Sequence, residues 1–172
     1  MRSFKIDIKI LNSNLKLRHE ENKMSKHKIS LSWKKGPEDF KYDSYDRTHS
    51  IRYEGGQKLH GSSTPETYGK AEHTNPEELL ASSVCSCHFL TFLAIASKSR
   101  FIVSDYEDNT IATLEKNEEG KMVVTKIELH PKVTFEGDKI PDLDTLIGLH
   151  EKAHKNCFIA NSIKSEVTIN PS

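Results

Sequence analysis

The chain predicts an α+β domain with antiparallel sheets packed around a long central helix, and three observations carry that expectation. Short alternating runs lie on both sides of a sharply signalled helix start at residues 74–78. An apolar stretch free of Gly and Pro follows that start as far as residue 98. A second helical pattern at 142–157 lies between further strand-like runs. The order strands, helix, strands, helix, strand gives segregated rather than strictly alternating elements. No internal repeat of about 20–50 residues appears.

The elements follow in order. Met24 opens "MSKHKISLSW", and residues 27–33 alternate as the first strand of a domain spanning 27–172. Residues 1–26 form an N-terminal extension with a net charge of +4. It reads as an added edge strand, a disordered basic arm, or sequence upstream of the true start, and the position of Met24 favours the last. "KKGPEDF" is a turn, and "RTHSIRYEGGQKLHGSS" (47–63) gives two short strands around Gly55 and Gly56, completing a meander.

The central helix has Thr74 or Asn75 as N-cap, Pro76 at its first position and Glu77 or Glu78 to close a capping box; it should end near Ser97 or Lys98. Leu79, Leu80, Val84, Cys87, Leu90, Thr91, Ala94 and Ile95 recur at three- and four-residue spacing. Phe89, Phe92 and Leu93 widen that surface, so the helix is expected to be buried on most sides. "IATLEK" and "MVVTKIELHPKVTF" flank "NEEG" as a hairpin, and "SEVTIN" closes the chain as a strand.

Composition narrows the setting. A chain of 172 residues supports one domain with a real core. Lys plus Arg and Asp plus Glu both number 25, so no global field favours nucleic acid, an anionic membrane or an acidic ligand. Three cysteines are too few for a disulfide scaffold. We expect no membrane span, no signal peptide and a reducing, cytoplasmic setting, where a cysteine pair is catalytic more often than structural.

Cys87 lies mid-helix beside His88, and Cys157 ends the second helix in "AHKNC", three residues after His154. Buried thiols are ordinary small hydrophobes, yet neither segment needs its polar groups for packing. Two chemistries stand: a thiol pair that closes and reopens, or a Cys2His2 metal site. Adjacent helical residues point about 100° apart, so Cys87 and His88 cannot easily hold one ion, which weighs against the metal. Cys85 lies about 200° around the helix from Cys87, cannot bridge to it without unwinding, and reads as structural filler. His49 and His60 read as surface strand residues.

"TNPEELLASSVCSCH" together with "AHKNCFIANS" resembles the OsmC/Ohr family, the osmotically inducible and organic hydroperoxide resistance proteins, over residues 27–170. The resemblance implies an OsmC-like fold, an intertwined homodimer and thiol-dependent peroxidase activity in oxidative-stress defence. It puts the peroxidatic cysteine at Cys87, ten residues after Glu77 of the N-P-E motif, and the resolving cysteine at Cys157. It selects Arg47, upstream of Ser63-Thr64-Pro65, as the active-site arginine, with Arg52 as second choice.

Those roles are chemically reasonable. Burial raises a thiol's pKa, so a thiolate on an apolar helix needs a cation, and Arg47 would steady both it and the leaving alkoxide. Glu77 would hold Arg47 through a bidentate pair, although the same carboxylate reads equally well as a helix cap. Ten helical residues separate Glu77 from Cys87 by about 15 Å, so Glu77 must reach the thiol of another chain or act through an extended Arg47.

The implied cycle forms a Cys87 sulfenic acid, traps it as a Cys87–Cys157 disulfide and resets it with an external dithiol, a lipoylated protein or a small molecule. It needs no metal, haem or flavin. Phe158-Ile159-Ala160 stands where many organic hydroperoxide members have Pro-Tyr-Ser, and His88 and Cys85 point to the broader OsmC-like branch. Phe89, Phe92, Leu93 and Phe158 would favour an alkyl or lipid hydroperoxide over hydrogen peroxide. A thiol redox sensor and a metal-binding protein, neither turning over peroxide, are the alternatives.

Overall fold

The computed structural model describes residues 24–172, so the expectations for residues 1–23 lie outside the described residues. The N-terminal meander consists of β1 (Ile29–Ser32), β2 (His49–Tyr53) and β3 (Lys58–Gly61), antiparallel in that order, with Leu31 opposite Ile51 and Ile51 opposite Leu59. Gly56 supplies the left-handed turn between β2 and β3 at φ 88°. A short 3₁₀ turn at Pro65–Thr67 leads to a bridge between Gly61 and Thr74.

The long helix, α1 (Pro76–Lys98), starts as its sequence dictates. Asn75 Oδ1 accepts from the Glu78 N–H at 2.8 Å, and Glu78 Oε2 accepts from the Asn75 N–H at 3.1 Å. After it come β4 (Ile102–Asp108), β5 (Ile111–Lys116), β6 (Met122–Leu129), β7 (Pro131–Glu136), α2 (Leu143–Lys155) and β8 (Glu166–Ile169).

β4 pairs with β7, and β5 and β8 flank β6. The "NEEG" hairpin forms as expected, with Asn117 Oδ1 accepting from the N–H groups of Glu119 and Lys121. "MVVTKIELHPKVTF" is not one strand: the chain leaves β6 at Leu129, and from Pro131 it pairs with β4 instead. β4 itself was not expected. Among the described strands the β6–β8 pairing is parallel, because α2 and the segment after it carry the chain back so that β8 runs alongside the second half of β6 in the same direction.

Two cores meet along α1. Its first half packs Val84 against Ile127 and Leu129 of β6; its second half packs Phe92 and Ala96 against Phe101 and against Leu149 and Ala153 of α2. Only one stripe of α1 is thereby buried: Ala81, Val84, His88, Phe92 and Ala96. Leu90 stays 60% exposed, so within one chain the helix is not covered on most sides. By length and composition α1 is also apolar enough to cross a membrane, contrary to the sequence expectation; here one stripe of it packs against α2, β4, β5 and β6. The meander contributes nothing to either core, and Ile29, Leu31, Trp33, Phe40 and Tyr42 are all exposed.

Candidate active site

The two expected thiols meet. Cys87 is half-buried on α1, and Cys157, fully buried, lies two residues past the end of α2 in the bend before a 3₁₀ turn at Ala160–Ser162. Each influences the other's ionisation, and both remain free thiols. Burial pushes the Cys87 thiol up. Against it act the N–H of Ile159, the Cys157 thiol, the N–H of Phe158 and the Thr91 hydroxyl, and the balance is a lowered pKa. Cys157 moves the other way: burial and the neighbouring Cys87 sulfur push it up to about 11, although the Ala160 N–H reaches its sulfur at 3.5 Å. The two neighbouring thiols are thus shifted in opposite directions.

Cys85 faces away, as its helical position demands. It lies against Asp108 and Thr110, and burial followed by the Asp108 carboxylate raises its pKa. Asp108 also accepts from the Thr110 hydroxyl at 2.9 Å, the His130 N–H at 2.9 Å and the Tyr106 hydroxyl at 3.3 Å. Burial and this carboxylate both disfavour the Cys85 thiolate.

Arg47 is not a strand residue and does not meet Cys87 in this chain. It sits just before β2, donating to the Tyr45 and Tyr42 carbonyl oxygens, with its guanidinium 3.9 Å from the Tyr45 ring centroid and also over the rings of Tyr42 and Tyr68. Asp46 braces the same loop, accepting from the Thr48 N–H at 2.8 Å and from Lys70 Nζ at 2.9 Å. Arg47 lines a cavity of about 410 Å³ with Leu31, Trp33, Phe40, Tyr45, His49 and Pro76, among others. His49 therefore lines a site rather than the surface, because Gly61 opposite it leaves room for its ring; His60 is exposed as expected. Arg52, exposed on β2 opposite Ser30 and Lys58, is the weaker candidate.

Glu78, not Glu77, closes the capping box. That leaves the half-buried Glu77 carboxylate free at the start of α1, and it has no salt bridge among the described residues. Its neighbour Pro76 borders the Arg47 cavity, so both charged groups stand at the same end of the helix, well away from the thiols.

A third group of side chains lies between the helices. His88 and His150 are 1% and 2% exposed and share a hydrogen bond, Nε2 to Nδ1, of 3.0 Å. Burial lowers both to about 4, so both are uncharged at neutral pH. His150 and His154 line a smaller cavity of about 170 Å³ with Glu151, Ile147, Ile169 and Pro171.

The family model for OsmC-like protein matches residues 69–172. The chain belongs to the OsmC-like family. It is 27% identical to peroxiredoxin OsmC of Escherichia coli K12 over 96 residues, which is 56% of this chain and 64% of that protein. It thus spans slightly less than two thirds of that relative's length. An OsmC-like protein of unknown function from Vibrio cholerae superposes with a TM-score of 0.83 at 39% identity, covering 87% of this chain and all of that one. An organic hydroperoxide resistance protein OsmC from Legionella pneumophila, at 20% identity, TM-score 0.64 and coverage of 87% and 96%, shares the fold.

For this OsmC-like chain the structure unites Cys87 with Cys157 and leaves Arg47 and Glu77 apart from them. Of the apolar residues expected beside the thiols, Phe92 is fully buried, Leu93 packs onto the same core and Phe89 rests on Tyr106 at 4.9 Å; Phe158 remains 80% exposed. Sequence reasoning passed over the Phe158 and Ile159 amides, which carry no side-chain signal. It also passed over His150, whose signal was the H-E-x-x-H run at 150–154. That run does not form a metal centre here: His150 Nδ1 is taken by His88, and among the described residues no three His, Cys, Asp or Glu side chains converge as metal ligands.

Proposed function

We propose that this OsmC-like protein is a thiol-dependent peroxidase that reduces organic hydroperoxides through a Cys87 sulfenic acid and a Cys87–Cys157 disulfide. The observation that carries the reading is the neighbouring pair of free thiols, brought together from α1 and from the turn after α2, with the Cys87 pKa lowered and the Cys157 pKa raised. The names peroxiredoxin and hydroperoxide resistance, borne by relatives of the same fold, support a peroxide-directed redox role.

The steps balance with groups at hand. The Cys87 thiolate attacks the outer hydroperoxide oxygen, the O–O bond breaks, and the alkoxide takes a proton from water to leave as alcohol. The Cys157 sulfur then attacks Cys87–SOH: an S–S bond forms, the S–O bond breaks, and hydroxide leaves with the Cys157 proton as water. An external dithiol, small or lipoyl-bound, donates two electrons and two protons to reopen the disulfide.

In a homodimer, Arg47 and Glu77 of a second copy would complete the site. The exposed apolar meander, the uncovered flank of α1 and the remoteness of Arg47 from Cys87 support that arrangement. The apolar lining around Arg47 would receive an alkyl or aryl chain rather than hydrogen peroxide.

Anaerobic stopped-flow consumption of cumene hydroperoxide and hydrogen peroxide tests the reading. Reduced protein should prefer the organic substrate and turn over with a dithiol. Cys87→Ser should abolish consumption, and Cys157→Ser should consume one equivalent and stall as a sulfenic acid. Slow oxidation indifferent to Cys87 would sink the proposal.

A further inference from the structure

The two thiol-bearing segments are joined by a polar contact that packing alone does not require. His88 follows Cys87 on α1, and His150 lies on α2, seven residues before Cys157. Their rings lie within 4° of parallel, and His150 stacks on Phe92 at 4.2 Å between centroids. The remaining nitrogens, His88 Nδ1 and His150 Nε2, are buried without a partner among the described residues. Two polar groups are therefore kept out of water for one hydrogen bond, where apolar side chains of similar size would join Phe92, Leu149 and Ala153 in the core without that cost.

What the bond supplies and apolar packing does not is direction. Apolar contacts tolerate a helix turning about its axis; a 3.0 Å bond between rings on two helices does not. A rotation of α1 by about 20° would move a side-chain atom at the helix surface by about 2 Å. Cys87 meets Cys157 and the amides of Phe158 and Ile159 through groups held by the end of α2, so such a slip would separate the sulfurs.

We propose that the His88–His150 hydrogen bond is a positioning device for disulfide closure, holding α1 in the rotation that presents Cys87 to Cys157. The inference rests on the two-thiol reading above. Both histidines act through the thiols and neither touches peroxide, so the step they govern is S–S formation, in which a displacement of about 1 Å costs on the order of 100-fold.

The test separates closure from attack and from stability. Reduced wild-type protein, given one equivalent of cumene hydroperoxide, should show thiolate consumption followed by Cys87–Cys157 closure, read as loss of dimedone-trappable sulfenic acid. If wild-type protein consumes peroxide and never closes this disulfide, the two-thiol reading fails and the positioning role falls with it, before any histidine variant is made. If it closes, the double variant His88→Leu/His150→Leu decides. It removes both polar partners and should melt close to wild type, attack peroxide within about threefold of wild type at a pH high enough to ionise Cys87 fully in both proteins, and close about 10- to 100-fold more slowly.

Closure at the wild-type rate in the folded double variant overturns the proposal. Should that variant not fold, His88→Gln, which returns a nitrogen donor near the Nε2 position, is compared with His88→Met, of similar size and without one. Faster closure in His88→Gln supports the positioning role, and equal closure in the two overturns it.

Discussion

Around Cys87 and Cys157 a single chain brings together two thiols and the backbone amides that lower the Cys87 pKa, held between α1, α2 and the turn after α2. Around Arg47 the same chain provides a cation, aromatic walls and an open cavity, but no thiol, and Arg47 itself makes no ion pair among the described residues. The thiol region draws on both hydrophobic cores, while the meander that carries the cavity belongs to neither. A thiol pair must keep a fixed geometry through each cycle and gains from burial in a core. A substrate-recognising cation gains from remaining accessible until a second surface covers it. The contrast is what the proposed site, assembled from two copies, would require.

The sharpest way to break that comparison is complementation. Arg47→Ala should lower the rate of peroxide attack about 100- to 1,000-fold, the scale of losing a charge stabiliser at a reacting centre. Disulfide formation by a thiol oxidant that needs no arginine should stay intact. If the sites are composite, mixing refolded Arg47→Ala and Cys87→Ser chains should recover activity toward about a quarter of wild type, because half the dimers are mixed and each rebuilds one site. No recovery, with mixed dimers demonstrated, would place Arg47 and Cys87 in the same chain's site. Glu77→Gln should have a smaller effect, about 10-fold on attack, because it removes the partner that holds Arg47 and leaves the cation itself.

The sequence made one region far more legible than the other. Asn75, Pro76 and Glu78 fixed the start of α1, since capping is local chemistry, and Cys87 and Cys157 could be placed through the resemblance of the segments around them. The division of strand partners was not local: Pro131, which separates β6 from β7, looked like an interior residue of one long strand. The Phe158 and Ile159 amides were invisible because every residue but proline carries one. His150 was overlooked because histidine at a core position of α2 makes sense only once His88 is found 3.0 Å away on another helix. Arg47 was singled out through the resemblance, and its place against Tyr45 depends on how the 39–48 loop folds over β2, which no spacing encodes.

Acid titration sharpens the contrast at the level of stability. His88 and His150 titrate near 4 in the folded chain against an ordinary value of 6.5. Between those values the unfolded chain binds protons that the native chain refuses. Stability should hold above pH 6.5 and fall as pH drops toward 4, beyond which both states are protonated. Burial is the main cause for both residues; at His88 the nearby Asp108 opposes it and His154 adds to it. Urea midpoints measured across this range should slope downward in the wild type and flatten in His88→Leu/His150→Leu. An unchanged slope in the variant would assign the acid sensitivity to carboxylates instead.

The smallest effect expected is at Phe158. Its side chain is 80% exposed, its N–H donates to no backbone carbonyl among the described residues, and that N–H is one of the groups lowering the Cys87 pKa. Proline at this position removes one donor and nothing else of structural weight. Cys157, outside the helix, is the residue whose conformation the proline would restrict, toward the extended range that non-helical residues commonly occupy. Phe158→Pro should therefore raise the Cys87 pKa by about one unit or less, equivalent to about 1.4 kcal/mol or less. Attack below that pKa should slow in proportion, by up to about tenfold, while the plateau rate at high pH and the melting temperature stay unchanged. Thiolate absorbance followed against pH measures the shift directly. An unmoved titration would mean that the Ile159 amide, the Cys157 thiol and the Thr91 hydroxyl suffice, and that Phe158 matters for its exposed ring beside the thiols rather than for its backbone.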